Sequence, residues 1–200
     1  PNLILSSWYL LWLEKNNKDF LKYQLAIDLR KSIEDIRLGF RKSYKPLVNK
    51  ALKEWQIEVC DKDHDQIFEE FRLLHLEAAG KETRSRESWT IQKEQIKNKE
   101  AFLVTVRDES KLIGAGFFNY TRDMGMYSVA AYKRELFDRP IGHAVQMIAI
   151  EKLKELGCKT YYLGQKATSG LSTEKEISIS HFKEGFASHI VAQPNLEVTI

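Results

Sequence analysis

The sequence predicts an α+β fold, an α/β mixed sheet, from two observations. Three strand-like segments, residues 101–107, 111–121 and 126–132, follow one another across short polar turns, and such turns favour antiparallel hairpins. The third segment then leads into one amphipathic helix and a further strand at residues 160–165. A strand, helix and strand of this length form a crossover unit, so both strands belong to one sheet. A largely antiparallel sheet with one crossover is typical of the α+β class.

The crossover helix has the clearest pattern in the chain. Its apolar stripe recurs at helical spacing and consists of Ile141, Val145, Ile148, Leu153 and Leu156. Asp138 is the predicted N-cap, Pro140 suits the first turn, and Gly157 suits a left-handed C-cap. A helix that starts at a glycine-bearing turn after a strand also offers a place for an anionic group.

The remaining elements follow from the same turn and cap signals. Strands are predicted at residues 3–13, 20–29, 55–61 and 189–200; helices from Ser32 to Pro46, over 64–80, from Ser85 or Ser88 onward, and over 179–188 with a break at Gly185; and a loop at 166–176.

Composition sets the broad class of protein. The chain has 200 residues and a net charge of +3, which suits one large domain and gives no strong nucleic-acid signal. It has no run of about 18 apolar residues, the length that spans a bilayer. Its two cysteines, Cys60 and Cys158, belong to no motif, so we expect a reduced cytoplasmic protein. Because the sequence starts at Pro1 and goes directly into strand-like residues, we expect either a fragment whose N-terminal half is missing or a chain whose start was set by processing.

The order of elements resembles the GNAT acyltransferase fold. In that fold the main helix follows the fourth strand and holds the acyl-CoA pyrophosphate at its N-terminus. The usual signature is Gln or Arg, two residues, Gly, one residue, then Gly or Ala; Arg139, Gly142 and Ala144 satisfy it. The resemblance implies acyl-CoA (acetyl-CoA) as the donor. Its phosphates would contact Arg134, Arg139 and the turn from Gly142 through His143 to Ala144.

Each of these side chains also has a structural explanation. Arg134 and Arg139 offer a planar fork for phosphate or carboxylate, but could equally form surface salt bridges with Glu135 or Asp138. His143 lies in the first helical turn, where the helix dipole favours its neutral form. That suits a base or donor, although a solvated histidine is the alternative.

Further features resemble the FemAB-like branch of GNAT proteins, which includes peptidoglycan aminoacyltransferases and BioF2-like acetyltransferase domains. The resemblance covers about residues 25–190 and depends on the order of several segments: 26–52, His75–Gly80, Thr83-Arg84, Ser88-Trp89, Tyr127–Tyr132, Gly157 and Ile179–Phe186. It implies that the chain is the C-terminal half of a two-half protein, or a shortened member of the family. On this basis residues 1–53 are strands and a basic joining helix from a preceding half, and residues 54–200 are a GNAT-like domain.

Candidate catalytic groups lie near the strands that diverge in the GNAT fold. Tyr127 and Tyr132 could donate to a thiolate leaving group or stack on a sugar, or they could simply be core tyrosines. Gln165 ends its strand where open sheets bind ligands. Lys183 could neutralise a substrate anion, or it could be a solvated helix lysine.

A second group of candidates surrounds the loop before the second predicted helix of the domain. His75 and Arg84 are assigned as catalytic because they bracket a loop that passes over the acceptor groove in this fold. Thr83, Ser88 and Trp89 place polar groups beside an aromatic ring, a combination suited to a sugar or a carboxylated amine. The alternative is that Trp89 caps the core and Arg84 is exposed.

The leading functional hypothesis is an N-acyltransferase that moves an acyl or aminoacyl group to an amine of an amino sugar or cell-wall precursor. One alternative is an aminoacyl-tRNA donor, which is favoured by the basic helix at residues 37–53 and opposed by the missing long helical hairpin between residues 63 and 100. Another is a non-catalytic half that serves as a scaffold or as a homodimer interface. No metal site is expected, since His64 with its neighbouring aspartates is a poor ligand set.

Overall fold

The computed structural model describes residues 18–62, 64–168 and 170–197, together with Ser7, Leu10 and Leu11. The predicted strand at residues 3–13 lies mostly outside these residues. Ser7, Leu10 and Leu11 are helical, so the strand prediction is wrong at those three positions.

One mixed sheet of seven strands organises the described part of the chain, in the order β2-β3-β4-β5-β6-β1-β7. The strands are β1 Lys18–Asp28, β2 Gln56–Cys60, β3 Ala101–Asp108, β4 Lys111–Tyr120, β5 Met124–Tyr132, β6 Thr160–Gln165 and β7 His189–Glu197. All neighbours are antiparallel except β5 and β6. The predicted α+β class with its mixed sheet is confirmed, and so is the parallel crossover between β5 and β6.

Helices cover both faces of this sheet. Those of the described residues are α1 Ile33–Leu38, α2 Tyr44–Glu54, α3 Asp65–Ala79, α4 Arg86–Lys97, α5 Ile141–Glu155 and α6 Glu174–Glu184, with a short 3-10 turn at Arg134–Leu136. Buried side chains of α1, α2 and α5 share one apolar cluster with one face of the sheet. Those of α3 and α4 share a second cluster with the other face.

The helix predicted from Ser32 to Pro46 is two helices. Ser32 caps α1 as expected, because its hydroxyl accepts from the Asp35 N–H, but α1 ends before Gly39. The second helix starts at Tyr44 and places Pro46 in its first turn. Proline is tolerated there because the first backbone N–H groups of a helix have no partner within it. The prediction that Pro46 ends a helix is therefore wrong.

The helix near the C-terminus starts earlier than predicted. Thr173 and Glu176 form a reciprocal capping box that begins α6 at Glu174, a sequence signal that is recognisable in advance. The predicted loop at 166–176 therefore extends only to Thr173. The helix does stop at Gly185 as expected, although Gly185 has an ordinary helical φ of −65°.

The crossover helix α5 lies where the periodicity places it. Ile141, Val145 and Leu153 are at most 1% exposed, so the apolar stripe faces the sheet. Gly157 follows the helix with a φ of +83°, as predicted for a left-handed end. Asp138 does not cap the helix; Pro140 occupies that position without a side-chain cap.

Candidate functional site: the gap between β5 and β6

The two parallel strands separate soon after they start. They pair only through Met124, Gly125 and Met126 on β5 with Thr160, Tyr161 and Tyr162 on β6. Beyond these pairs β5 continues to Tyr132 and β6 to Gln165. The facing edges of the two strands thus leave a gap in which backbone donors and acceptors lack a strand partner, as at a sheet edge.

Lys183 projects from α6 into this gap. Its ammonium nitrogen lies 5.4 Å from the centroid of the Tyr127 ring on β5 and against Gly164 on β6. The side chain therefore links the two diverging strands. Burial lowers the pKa of Lys183, and no carboxylate of the described residues acts on it.

Gly164 makes room for this ammonium group. A Cβ at Gly164 would lie 2.6 Å from the Lys183 nitrogen, and the residue has a φ of +117°. Both the close approach and the backbone conformation require glycine. A glycine within a predicted strand is the sequence signal that could have identified this contact.

A pair of tyrosine hydroxyls lies beside the lysine. The Tyr127 and Tyr132 hydroxyl oxygens are 2.9 Å apart. Burial raises the pKa of Tyr127 to about 12 and raises that of Tyr132 well above its ordinary value, although the hydrogen bond to Tyr132 acts the other way on Tyr127. Both hydroxyls therefore stay protonated and able to donate near neutral pH.

A buried polar pair that the sequence did not suggest lies under α5 near the start of the gap. The Tyr161 hydroxyl donates to Oε1 of Gln146 at 2.6 Å, and both residues are fully buried. The Gln146 Nε2 group has no partner among the described residues. The sequence signal for this pair is Gln146 itself, a polar residue on the apolar side of α5.

The first turn of α5 is covered by aromatic rings. A Cβ on Gly142 would lie 3.2 Å from the Phe182 ring and 3.6 Å from the Tyr132 ring. Ala144 is fully buried. Phe182 and Lys183 thus have separate roles: Phe182 packs on the helix start and Lys183 enters the gap.

The two predicted phosphate-binding arginines contact protein groups. Arg139 forms an ion pair with Glu54, and its guanidinium lies 5.5 Å from the Trp55 ring. The Arg134 side chain donates to the Ala78 carbonyl at 2.7 Å. Both arginines are thus engaged by protein groups, and the Phe182 and Tyr132 rings lie over Gly142 at the helix start.

His143 is enclosed rather than solvated. Its ring contacts those of Tyr44 at 4.4 Å, Phe182 at 5.1 Å and Phe186 at 5.8 Å between centroids. Burial, with a smaller contribution from Arg41, lowers the pKa of His143 to about 4. The imidazole is therefore neutral at physiological pH.

The second predicted group lies on the other face of the sheet, at the junction of α3 and α4. Trp89 is 7% exposed and contacts His75 at 5.1 Å between ring centroids. Burial, then the nearby Arg84, lowers the pKa of His75. Arg84 lies 6.0 Å from the Trp89 ring, while Thr83 is exposed and Ser88 half-buried.

The structure thus brings some candidates together and separates others. Tyr127, Tyr132 and Lys183 meet at the gap. Gln165 ends β6 beyond the residues that pair with β5, so it lies along the same gap, and it is exposed. The His75–Trp89 group is separated from them by the sheet, although Arg134 connects the two regions through its bond to the end of α3.

A distinct cleft of about 400 Å³ lies on the sheet near the paired ends of β5 and β6, and Met124, Met126 and Tyr162 are among its lining residues. It contains none of the predicted site residues. Among the described residues, no group of three or more His, Cys, Asp or Glu side chains could hold a metal ion. None of the described helices has the length and apolar character needed to cross a bilayer.

No protein-family model and no curated protein matches the chain. Solved structures do. FemX is 14% identical with a TM-score of 0.68, covering 84% of this chain and 59% of FemX. The C-terminal domain (DUF2156) of a provisionally assigned lysylphosphatidylglycerol synthetase from Agrobacterium fabrum is 12% identical with a TM-score of 0.68, over 92% and 62%. A GCN5-related N-acetyltransferase from Sphaerobacter thermophilus is 14% identical with a TM-score of 0.51, over 96% and 55%.

These likenesses show the fold: the chain has a FemAB-like, GNAT-type acyltransferase fold. The chain spans less than two thirds of the length of each of these three structures.

Proposed function

We propose that the chain is an N-acyltransferase that moves an acyl or aminoacyl group to an amine of an amino sugar or cell-wall precursor. The observation that carries this proposal is the half-buried Lys183 ammonium between β5 and β6, which no described carboxylate neutralises. A buried cation without a counter-charge is costly. A substrate that brings negative charge into the gap would compensate that cost.

Acyl transfer uses such a cation directly. The acceptor nitrogen forms a bond to the acyl carbon, and the bond from that carbon to the leaving group breaks. The proton lost by the nitrogen passes through the Tyr127 and Tyr132 hydroxyls to the leaving group. Negative charge develops on the acyl oxygen during the step, and Lys183 is placed to stabilise it. The protonated Tyr127 and Tyr132 pair supplies a hydroxyl that can donate to the leaving group.

The acceptor is proposed to approach from the other face of the sheet. Trp89 contacts both His75 and Arg84 there, and Thr83 and Ser88 are close to them in the chain. The guanidinium of Arg84 has a buried Nε without a described partner. An acceptor carboxylate or phosphate would supply the missing hydrogen bond.

The donor distinguishes two versions of this proposal. An acyl-CoA would have to place its diphosphate away from Gly142 or displace Phe182, since that ring covers the first turn of α5. An aminoacyl-tRNA needs no diphosphate site. The covered helix start therefore favours an aminoacyl-tRNA-dependent transfer as the second candidate function.

Donor binding tests both versions. We would measure the thermal unfolding of the chain with acetyl-CoA and, separately, its binding to bulk aminoacylated tRNA at low and high salt. A ligand that binds the native state raises its melting temperature, and tRNA binding through phosphates weakens steeply with salt. A positive result for either donor is followed by mass-spectrometric detection of the acylated product, with glucosamine and a UDP-linked muramyl peptide as acceptors.

The outcomes separate the candidates. Stabilisation by acetyl-CoA supports the acyl-CoA version, and salt-sensitive tRNA binding supports the aminoacyl version. If neither donor binds and no product forms, the enzymatic proposal fails and the non-catalytic half, a scaffold or homodimer interface, takes its place.

A further inference from the structure

We propose that Arg41 is a positioning residue for Lys183: together with the Tyr44 hydroxyl it fixes the last turn of α6 and so holds the lysine ammonium between β5 and β6. This inference rests on the proposed function, because Lys183 is the cation that the proposed acyl transfer uses. Its test measures Lys183 itself and needs no activity.

Arg41 contacts α6 through both its side chain and its backbone. Its Nη2 group donates to the His181 carbonyl at 2.9 Å, and its Nη1 group lies 3.0 Å from His181 Nε2. Its backbone N–H donates to the Gly185 carbonyl at 2.8 Å. A guanidinium can only donate, so His181 Nε2 is the acceptor in this contact.

Tyr44 completes the attachment. Its hydroxyl accepts from Arg41 Nη1 at 3.1 Å and donates to the Phe182 carbonyl at 3.1 Å. The ring reaches this position because residue 185 is glycine: a Cβ there would overlap the Tyr44 ring. The glycine that ends α6 is therefore required by packing, since its φ is ordinary for a helix.

These bonds hold the backbone on both sides of Lys183. The fixed carbonyls belong to residues 181, 182 and 185, and successive helical residues are rotated by about 100°. A small rotation of this turn would therefore swing the Lys183 side chain away from Gly164. The described contacts of the ammonium itself are packing on Gly164 and the Tyr127 ring, neither of which fixes direction as a hydrogen bond does.

A second attachment holds the opposite side of the helix. Glu184 accepts from Lys166 Nζ at 3.1 Å and from the Ser180 hydroxyl at 2.9 Å, and the Ser180 hydroxyl accepts from the Ala167 N–H at 3.0 Å. This side links α6 to the end of β6. It keeps the helix on the sheet when Arg41 is replaced, so an Arg41 variant tests orientation rather than folding.

The experiment is an NMR titration of the Lys183 Nζ and Cε signals, assigned from the Lys183→Met spectrum. Variants are Arg41→Met and Tyr44→Phe, with Lys42→Met, an exposed neighbour, as the matched control. We expect the wild-type pKa of Lys183 to lie below its ordinary value. In both test variants the pKa should return toward that value, because a displaced ammonium group is less buried. A shift of one pKa unit changes the free-amine fraction about tenfold.

Removal of the Arg41 charge would by itself favour the protonated lysine. Tyr44→Phe changes no charge and keeps the ring, so its effect isolates the loss of positioning, and it carries the test if Arg41→Met does not fold. An unchanged Lys183 pKa in folded Tyr44→Phe overturns the inference. A shifted pKa in a protein whose wild type transfers no acyl group upholds the inference and rejects the proposed function.

Discussion

The ammonium nitrogen of Lys183 lies 2.6 Å from the point that a Cβ on Gly164 would occupy. A cation on one helix and a glycine on a central strand are thus spatially matched, although Gly164 and Lys183 are distant in the sequence. The match explains why β6 tolerates a residue that weakens most strands.

Replacing Gly164 should displace the lysine. In Gly164→Ala the new Cβ meets the ammonium, and the φ of +117° strains any other residue; we expect a loss of about 1–3 kcal/mol in the free energy of unfolding. Gly170→Ala is the control, because Gly170 also has a positive φ but a Cβ there meets nothing within 4 Å. Urea unfolding measures both. Equal losses would show that the lysine contact contributes nothing beyond backbone strain.

Removing the ammonium should affect chemistry more than stability. Lys183→Met keeps most of the apolar stem and deletes a buried charge, so we expect unchanged or slightly higher stability. Turnover of any substrate found should fall about 10²–10³-fold, the range for loss of one oxyanion-stabilising group. Lys175→Met, an exposed position in the first turn of the same helix, is the control. Equal kcat in Lys183→Met and wild type would remove Lys183 from the site.

The tyrosine pair should behave as a coupled unit. Tyr127→Phe or Tyr132→Phe leaves one buried hydroxyl without its 2.9 Å partner, which costs about 1–3 kcal/mol. The double variant leaves neither, so its loss should be smaller than the sum of the single losses by about 1 kcal/mol. A double-mutant cycle in urea measures this difference. Strict additivity would mean that the hydroxyls do not depend on each other.

Stability should fall on the acid side because of His143. Its pKa is about 4 in the folded protein against a reference of 6.5, so the unfolded chain binds the extra proton between these values. Stability is therefore complete above about pH 6.5 and decreases until about pH 4, by about 3 kcal/mol in total. His143→Phe should remove this part of the slope in pH-dependent urea unfolding. His75, whose pKa is also lowered, contributes a separate slope that His143→Phe leaves in place.

Local signals predicted most of the elements correctly. Caps at Ser32 and Ser85, the apolar stripe of α5 and the left-handed Gly157 all act over a few residues, so they are visible in the sequence. Errors occurred where one local rule competed with another. Pro46 suits both the end of one helix and the first turn of the next, and the structure places it in a first turn. The capping box at Thr173 lies within a polar stretch that also has the composition of a loop.

The candidate site could be predicted only in part. The position of Tyr127 and Tyr132 at a diverging strand and the resemblance of the Ile179–Phe186 segment predict three candidates that meet at the gap: Tyr127, Tyr132 and Lys183. The sequence did not suggest that Phe182 covers Gly142 or that Arg139 pairs with Glu54. It also missed the Gln146–Tyr161 bond. These contacts join residues that are distant in the chain, and no periodicity or cap encodes such pairs.

The sequence by itself determined the α+β class, the crossover around α5 and the residue types available for chemistry, because these follow from side-chain periodicity and backbone preference. Only the tertiary structure decided which of those residues share a site. Lys183 belongs to the gap because the Arg41 and Tyr44 bonds orient α6 and because Gly164 leaves room for its ammonium group. The His75–Trp89 group lies across the sheet, since α3 and α4 pack on its other face. Packing in three dimensions fixes both placements.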